Sequence, residues 1–308
     1  MSHVALDPLV RLISAAVVHG GGEPLLSRFL GVLVGVVKRE ADELGTAFNA
    51  RPFLRLLAGL LSELARVELP KPVDSRCLHA VGVALHRLQP VSVPAFAFAW
   101  LELISHRSFV PRVLSAYGQG WVLYRTLLLS LFQFLEPYLR LADLPDSVRA
   151  LYRGTLRLLL MLLHDFPEFL CEQHHCLCDA IPTSCVQMRN LVLSAFPRHM
   201  RLPDPFTPNL KVDMLPEIAV APRLSPHPDA QVPEPLRAAI DAYLHTRSPA
   251  SLPSDLAKQL AGPAPEGSPP GTSPSGYNAP AINALALYIG SAASASAAAA
   301  TAAAANAC

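Results

Sequence analysis

The densest group of chemically capable side chains in this 308-residue sequence is Cys171, His174, His175, Cys176, Cys178 and Cys185. On a helix, Cys171, either His174 or His175, and Cys178 recur at i, i+3 or i+4, and i+7, so three soft ligands share one face and Cys185 is available as a fourth. Zinc sites usually pair their ligands in short knuckles, whereas here Cys185 has to fold back past Pro182. Small buried thiols beside a hydrogen-bonded His account for the same residues, and the reading taken is no metal and no cofactor. A Cys-His nucleophile lacks an evident Asn or Asp orienter. His164 and Asp165 end a Leu-rich stretch; a His facing a helix dipole beside an Asp accepting turn hydrogen bonds explains them without a substrate.

Other chemistry is thinner. There is no G-x-S-x-G, G-x-x-x-x-G-K-[ST], H-E-x-x-H or C-x-x-C. Gly20 to Gly22, and Gly118 with Gly120, follow helical sequence without a preceding strand, so they read as turns between helices and not as phosphate cradles. Phe96, Phe98, Trp100, Trp121 and Tyr124 are mostly core side chains by expectation, although an exposed aromatic beside Arg would make an interface anchor. Arg189, Arg198, His199, Arg201 and Lys211 form a local basic stretch. With 25 Lys and Arg against 24 Asp and Glu, the net charge of +1 gives no chain-wide field for nucleic acid or an anionic membrane. No catalytic residue is assigned, and the chain is not read as an enzyme.

The elements that must carry these residues are helical. Apolar residues make up 51% of the chain, enough for a real core. Phe53, Leu57, Leu60, Leu61 and Leu64 recur on one face, opposite Arg55, Ser62, Glu63 and Arg66. The stretches 121–139 and 149–164 are apolar most of the way round and predict helices covered on several sides. Ser184 and Gln187 have capping-box spacing ahead of Met188, Leu191, Val192 and Ala195, with Pro197 closing the helix. No useful period-2 alternation appears, and breakers recur at Pro70, Pro72, Pro90, Pro111, Pro145 and Pro167. The fold class expected is all-α: a HEAT-like α-solenoid of antiparallel helix pairs, with a Pro-rich extended strap and a low-complexity C-terminal tail.

Proline divides the chain, with 12 in residues 1–196 and 18 in 197–280. From Met200 to Pro235 no regular element fits, yet Leu202, Phe206, Leu210, Met214, Leu215 and Ile218 are too apolar for a solvated linker, so this strap is expected to lie on the helices. Leu236, Ile240, Tyr243 and Leu244 predict one more helix. The organisation expected is N-terminal helices over 1–45, a helical domain over 46–260, a Pro/Gly/Ser linker over 261–277, an apolar helix over 278–290 and a disordered Ala/Ser tail over 291–308. No uncharged apolar run is convincing as a membrane span, and six Cys without a framework suit a reducing compartment, cytosol or nucleus.

Five runs carry a resemblance: AFNARPFLRLL (47–57), LQPVSVPAFAFAWLELISHRSFVPRVL (88–114), LYRGTLRLLLMLLHDFPEFLC (151–171), QMRNLVLSAFPRHMRLPDPFTPNLKVDML (187–215) and INALALYIG (282–290). Over roughly 46–290 the chain resembles the C-terminal domain of the large scaffold subunit, Not-one type, of the Ccr-Not deadenylase complex. The resemblance implies a HEAT-like docking platform without activity of its own. It also implies partners: extended regions of the second and third Not subunits, with indirect association with mRNA and the deadenylase nucleases, which bind elsewhere on the scaffold. Deadenylation, mRNA decay and translational repression in the cytoplasm, P-bodies and nucleus follow as expectations. Past Leu287 to Gly290 the family pattern continues with further helices where this chain turns to Ala and Ser, which reads as a truncated or misjoined end.

Because extended backbone cannot satisfy its own hydrogen bonds, the strap is expected to shape a groove for partner peptides. Its candidate partner-binding residues are Arg198, Arg201, Asp204, Phe206 and Lys211. The same residues also fit a bland alternative in which Phe206 plugs the core and the charges are solvated. The rival classes are an RNA-binding helical repeat protein, with steep salt dependence, and a zinc-dependent module.

Overall fold

The computed structural model describes residues 3–67, 69–115, 119–141, 143–198, 204, 206–215, 232–260 and 281–293. Among the described residues there are helices and turns and no strand. The chain divides into two compact units, residues 1–200 and 201–308, a boundary inside the span 46–260 that the sequence reading treats as one domain.

In the first unit, α1 (His3–Ala16) passes through a turn of π-helix at Val17–Gly21 into α2 (Gly22–Leu44). Gly22 takes a φ of 52°, in the left-handed region that favours glycine, so the Gly20 to Gly22 run is an inter-helix turn. There follow α3 (Arg51–Arg66), α4 (Lys71–Arg87), α5 (Ala97–Ile104), the short α6 (Val110–Ser115), α7 (Gln119–Leu139), α8 (Asp146–Asp165), α9 (Pro167–Ala180) and α10 (Val186–Leu193). Prolines mark the starts of several: Pro52, Pro72 and Pro167 sit in first turns, where a missing N–H costs nothing.

The helices form two layers. One runs α1, α3, α5, α8, α10 and the other α2, α4, α7, α9, each helix touching the next in its layer, with α6 against α4 and α7. Consecutive long helices thus alternate between layers, the arrangement of an α-solenoid. The α3 stripe packs as its periodicity predicts, with Leu56, Leu57, Leu60, Leu61 and Leu64 buried. Each such side chain contributes about 1.5–3 kcal/mol by leaving water. A bidentate pair, Arg55 Nε and Nη2 to the Asp7 carboxylate at 3.0 and 2.7 Å, joins α1 to α3 on the outside.

Helix α7 is buried on several sides, through Trp121, Tyr124, Leu127, Leu131, Phe132 and Leu135, because α4, α6, α8 and α9 all pack on it. Phe96, Trp100, Trp121 and Tyr124 are core, as expected, while Phe98 is exposed, and the polar atoms of the buried ones close helix ends. Trp100 Nε1 donates to the Leu85 carbonyl at 2.6 Å, Trp121 Nε1 to Leu114 at 2.8 Å and the Tyr124 hydroxyl to Ile104 at 2.9 Å.

Two local expectations are corrected. Helix α10 starts at Val186 and its N-cap, Cys185, makes no side-chain capping bond; the Cys185 N–H instead bonds back to Pro182, so the turn, and not a Ser184–Gln187 capping box, sets the start. Helix α8 is not covered all round either. Arg149, Arg153, Arg157, Leu160 and His164 stay exposed, because α5, α7, α9 and α10 occupy only its other sides.

The second unit holds α11 (Glu234–Thr246), α12 (Leu252–Gln259) and α13, described over residues 281–293 and overlapping the expected helix of 278–290. Val232, Leu236, Ile240, Ala284 and Leu285 form its core, with Leu244, Leu256, Leu260, Tyr288 and Ile289 against it. The Tyr288 hydroxyl donates to the Asp241 carboxylate, 2.7 and 2.8 Å from its two oxygens, tying α13 to α11. Helix α12 was not foreseen; Pro253 in its first turn and Asp255 beside it are start signals hidden in a Pro-rich context. Most of the 291–308 tail, all of the 261–277 linker and most of the strap lie outside the described residues.

Candidate partner-docking surface

Of the five candidate residues, Arg198 lies in the first unit and Asp204, Phe206 and Lys211 in the second, while Arg201 is outside the described residues. Arg198 is already engaged. Its N–H donates to Glu168 Oε1 at 3.0 Å, and its guanidinium donates to the carbonyls of His164 and Asp165 at 3.0 and 2.5 Å. Those carbonyls belong to the last turn of α8, where four acceptors lack helical partners and the dipole is negative, so Arg198 caps the helix from a distance in sequence. His164 Nδ1 sits 2.7 Å from Asp165 Oδ1 on the open surface, a local pair without a pocket.

The strap shows an opposite behaviour. Asp204 Oδ1 accepts the Phe206 N–H at 2.9 Å, an Asx-type turn that starts the segment, and Asn209, at a φ of 59°, turns it again before a 3-10 turn at Val212–Met214. Phe206 is 88% exposed, Met214 77% and Leu210 37%. Phe206 therefore does not join the core of its own unit. Turns every few residues hold the backbone in a path that points the apolar groups outward. Lys211 is exposed among them.

The Cys and His cluster lies along α9 and its exit. Among the described residues no three His, Cys, Asp or Glu gather in a way that could hold a metal. Burial pushes the Cys171 and Cys178 thiols above their ordinary range and so disfavours the thiolate a metal needs. His174 shares a 2.6 Å hydrogen bond with the Cys171 carbonyl, and burial, helped by His174, holds His175 below the usual imidazole range. A cleft of about 290 Å³ between α2, α4, α6 and α7 presents Glu23, Ser75, Arg76, His79 and Arg112. Ser75 and His79 share no hydrogen bond there, and Arg112 is held by Asp74 from the neighbouring helix, so the cleft offers no assembled nucleophile.

Two layers of stacked helices in the first unit are the geometry in which the sequence likenesses fall. The family described as CCR4-Not complex component, Not1, matches residues 61–307. The chain belongs to the Not1 family. That match runs past residue 290 into the Ala/Ser tract, farther than the sequence reading carried it. Two relatives of this Not1-family chain are the CCR4-NOT transcription complex subunit let-711 of Caenorhabditis elegans, 40% identical over 263 residues, and general negative regulator of transcription subunit 1 of Saccharomyces cerevisiae, 31% over 265 residues. These alignments cover 80% of the chain in both cases, but the chain spans only 10% and 12% of the relatives' length. Among solved structures, the NOT1 superfamily homology domain from Chaetomium thermophilum matches with a TM-score of 0.75 and 27% identity, covering 91% of this chain and 56% of that one. A Not1 C-terminal domain in complex with Not4 matches with a TM-score of 0.72 and 27% identity, covering 93% and 60%. The all-α solenoid reading and the Not-one-type resemblance hold.

The sequence reading missed the open face of α8. Its signal was present, since Arg149, Arg153 and Arg157 recur every fourth residue, but the abundance of Leu around them pointed to a fully covered helix.

Proposed function

We propose that this chain is a non-catalytic docking platform of the CCR4-Not assembly, receiving extended regions of the second and third Not subunits and so supporting mRNA deadenylation, decay and translational repression. Its place of action is the cytoplasm, P-bodies included, and the nucleus, and its link to mRNA and the deadenylase nucleases is indirect. The observation that carries the reading is the exposure of Phe206 and Met214 on a turn-rich segment of a Not1-family chain. Large apolar side chains held outward by fixed turns gain most when a partner covers them. The complex with Not4 seen for a similar Not1 domain supports a subunit as that partner. Asp204 and Lys211 flank the apolar anchors as rim charges, and Arg198 and Arg201 are further contacts in this reading.

The test is co-expression of residues 1–308 with the second and third Not subunits, read by size-exclusion chromatography. Stable 1:1:1 co-elution that Phe206→Ala weakens is the expected result. A helical, monodisperse chain that elutes alone overturns the reading.

A further inference from the structure

The near-zero net charge of the chain conceals a division between the two layers of the first unit. Helices α1, α3, α5, α8 and α10 together carry eight Arg against five Asp and Glu, whereas α2, α4, α7 and α9 carry seven Lys and Arg against nine Asp and Glu. In the first of these layers four of the five carboxylates are already matched: Asp7 with Arg55, Glu63 with Arg66, Asp146 with Arg149 and Asp165 with His164. Arg153 and Arg157 are exposed on α8 and have no hydrogen-bond or ion-pair partner among the described residues. One turn further on, Leu160 is 51% exposed, and on the adjacent α5 Phe98 is 53% exposed. The two helices are close neighbours, since a Cβ on Gly154 would come within 2.7 Å of Leu101 Cδ2.

We infer that the open face of α8 docks an extended acidic segment of a partner protein, with the pattern acidic, any, acidic, any, apolar. The spacing favours an extended chain. Four helical residues rise about 6 Å, so Arg153 and Arg157 are separated along the axis by about the length of two extended residues, about 6.6 Å, and alternate side chains of a strand share one side. Two successive same-side carboxylates therefore meet the two guanidiniums, and the next same-side residue, apolar, reaches Leu160. Guanidinium and carboxylate make charge-assisted, bidentate bonds, and the exposed Leu160 supplies the apolar contact one turn on. A nucleic acid strand suits the face less well: Glu102, exposed on α5 between α3 and α8, interrupts the basic surface that a continuous phosphate chain would track. The inference rests on the docking reading above and assigns a partner chemistry to a second part of the same platform.

Three fluorescein-labelled 14-residue peptides, with Asp, Asn or Lys at the two key positions and Leu two residues beyond the second, test it by anisotropy at low salt. A labelled 14-nucleotide oligoadenylate is the nucleic acid arm. The chain should bind the Asp peptide, lose at least about tenfold on the Asn peptide, and bind the oligoadenylate more weakly than either. The Arg153→Glu, Arg157→Glu double variant, its helicity checked by circular dichroism, should lose the Asp peptide and prefer the Lys peptide. Equal binding of Asp and Asn peptides, indifference to the double variant, or an Arg153-dependent preference for oligoadenylate overturns the inference. Co-elution with the second and third Not subunits is measured alongside. Co-elution without Arg-dependent peptide binding overturns this inference alone, and Arg-dependent peptide binding without co-elution overturns the platform reading alone.

Discussion

Replacing Tyr124 by Phe removes one oxygen from the middle of the first unit and leaves every other packing contact in place. The ring is fully buried, edge-on to Phe169 at 5.6 Å and tilted against Phe109 at 6.4 Å, and its hydroxyl donates to the Ile104 carbonyl at 2.9 Å. That carbonyl ends α5 and has lost its helical partner, so at pH 7 the substitution should cost about 1.5 kcal/mol. The cost should then change sign with pH. Burial raises the Tyr124 phenol far above its ordinary value of 10, so the folded chain keeps its proton where the unfolded chain releases it. A group whose folded pKa is raised contributes stability that is lost as pH climbs above the unfolded value, here at about 1.4 kcal/mol per pH unit. The Phe variant lacks this loss, while the remaining Tyr and Cys titrate alike in both proteins. The deficit of the variant should stay near 1.5 kcal/mol up to about pH 9.5, vanish near pH 11 and reverse above it. Urea unfolding followed by circular dichroism at pH 7, 10 and 11 measures it directly. A pH-independent difference would show that Tyr124 ionises in the folded chain and would refute the burial argument.

Three further outcomes are expected. Gly154→Val should cost about 1–3 kcal/mol, because its Cβ enters the space of Leu101, and combining it with Leu101→Ala should cost less than the sum, as thermal unfolding of the four proteins will show. A double-mutant cycle on Arg112 and Asp74, each about four-fifths buried in its side chain, should give a coupling of about 1 kcal/mol or more, whereas Arg149 with the fully exposed Asp146, 3.7 Å away, should give almost none. Phe206→Ala should leave chemical stability within about 0.5 kcal/mol of the parent, since the ring is 88% exposed, while reducing co-elution with the Not subunits.

Much of the architecture was legible from the chain. The stripe from Leu57 to Leu64 fixes α3 and its buried side, and the apolar girth of 121–139 correctly demands neighbours on several sides of α7. Where the same rule failed, on α8, the reason is geometric. Leu156, Leu160 and Leu163 are interchangeable in a hydropathy pattern, but only Leu160 falls on the side that no other helix approaches. The capping-box pattern failed for a related reason, since a turn from Pro182 to Cys185 satisfies the backbone before the Ser184 side chain is needed. For the candidate site, sequence composition located the strap but left open whether Phe206 is buried or presented to solvent. Apolar character alone says that burial is favourable, not that a surface is available to bury against.

The sequence by itself determined the helical class, the positions of most helices and the family, because periodicity, proline placement and long aperiodic runs such as PRHMRLPDPFTPNLKVDML are properties of the chain in order. Tertiary structure alone decided which charges meet. Arg55 finds Asp7, Arg112 finds Asp74 and Arg198 finds the end of α8 across tens of residues, while Arg153 and Arg157, no different in composition, have no partner among the described residues. Pairing depends on which helices share a layer, and that is set by the packing of the whole core. The basic layer of a neutral protein is a consequence of the same packing.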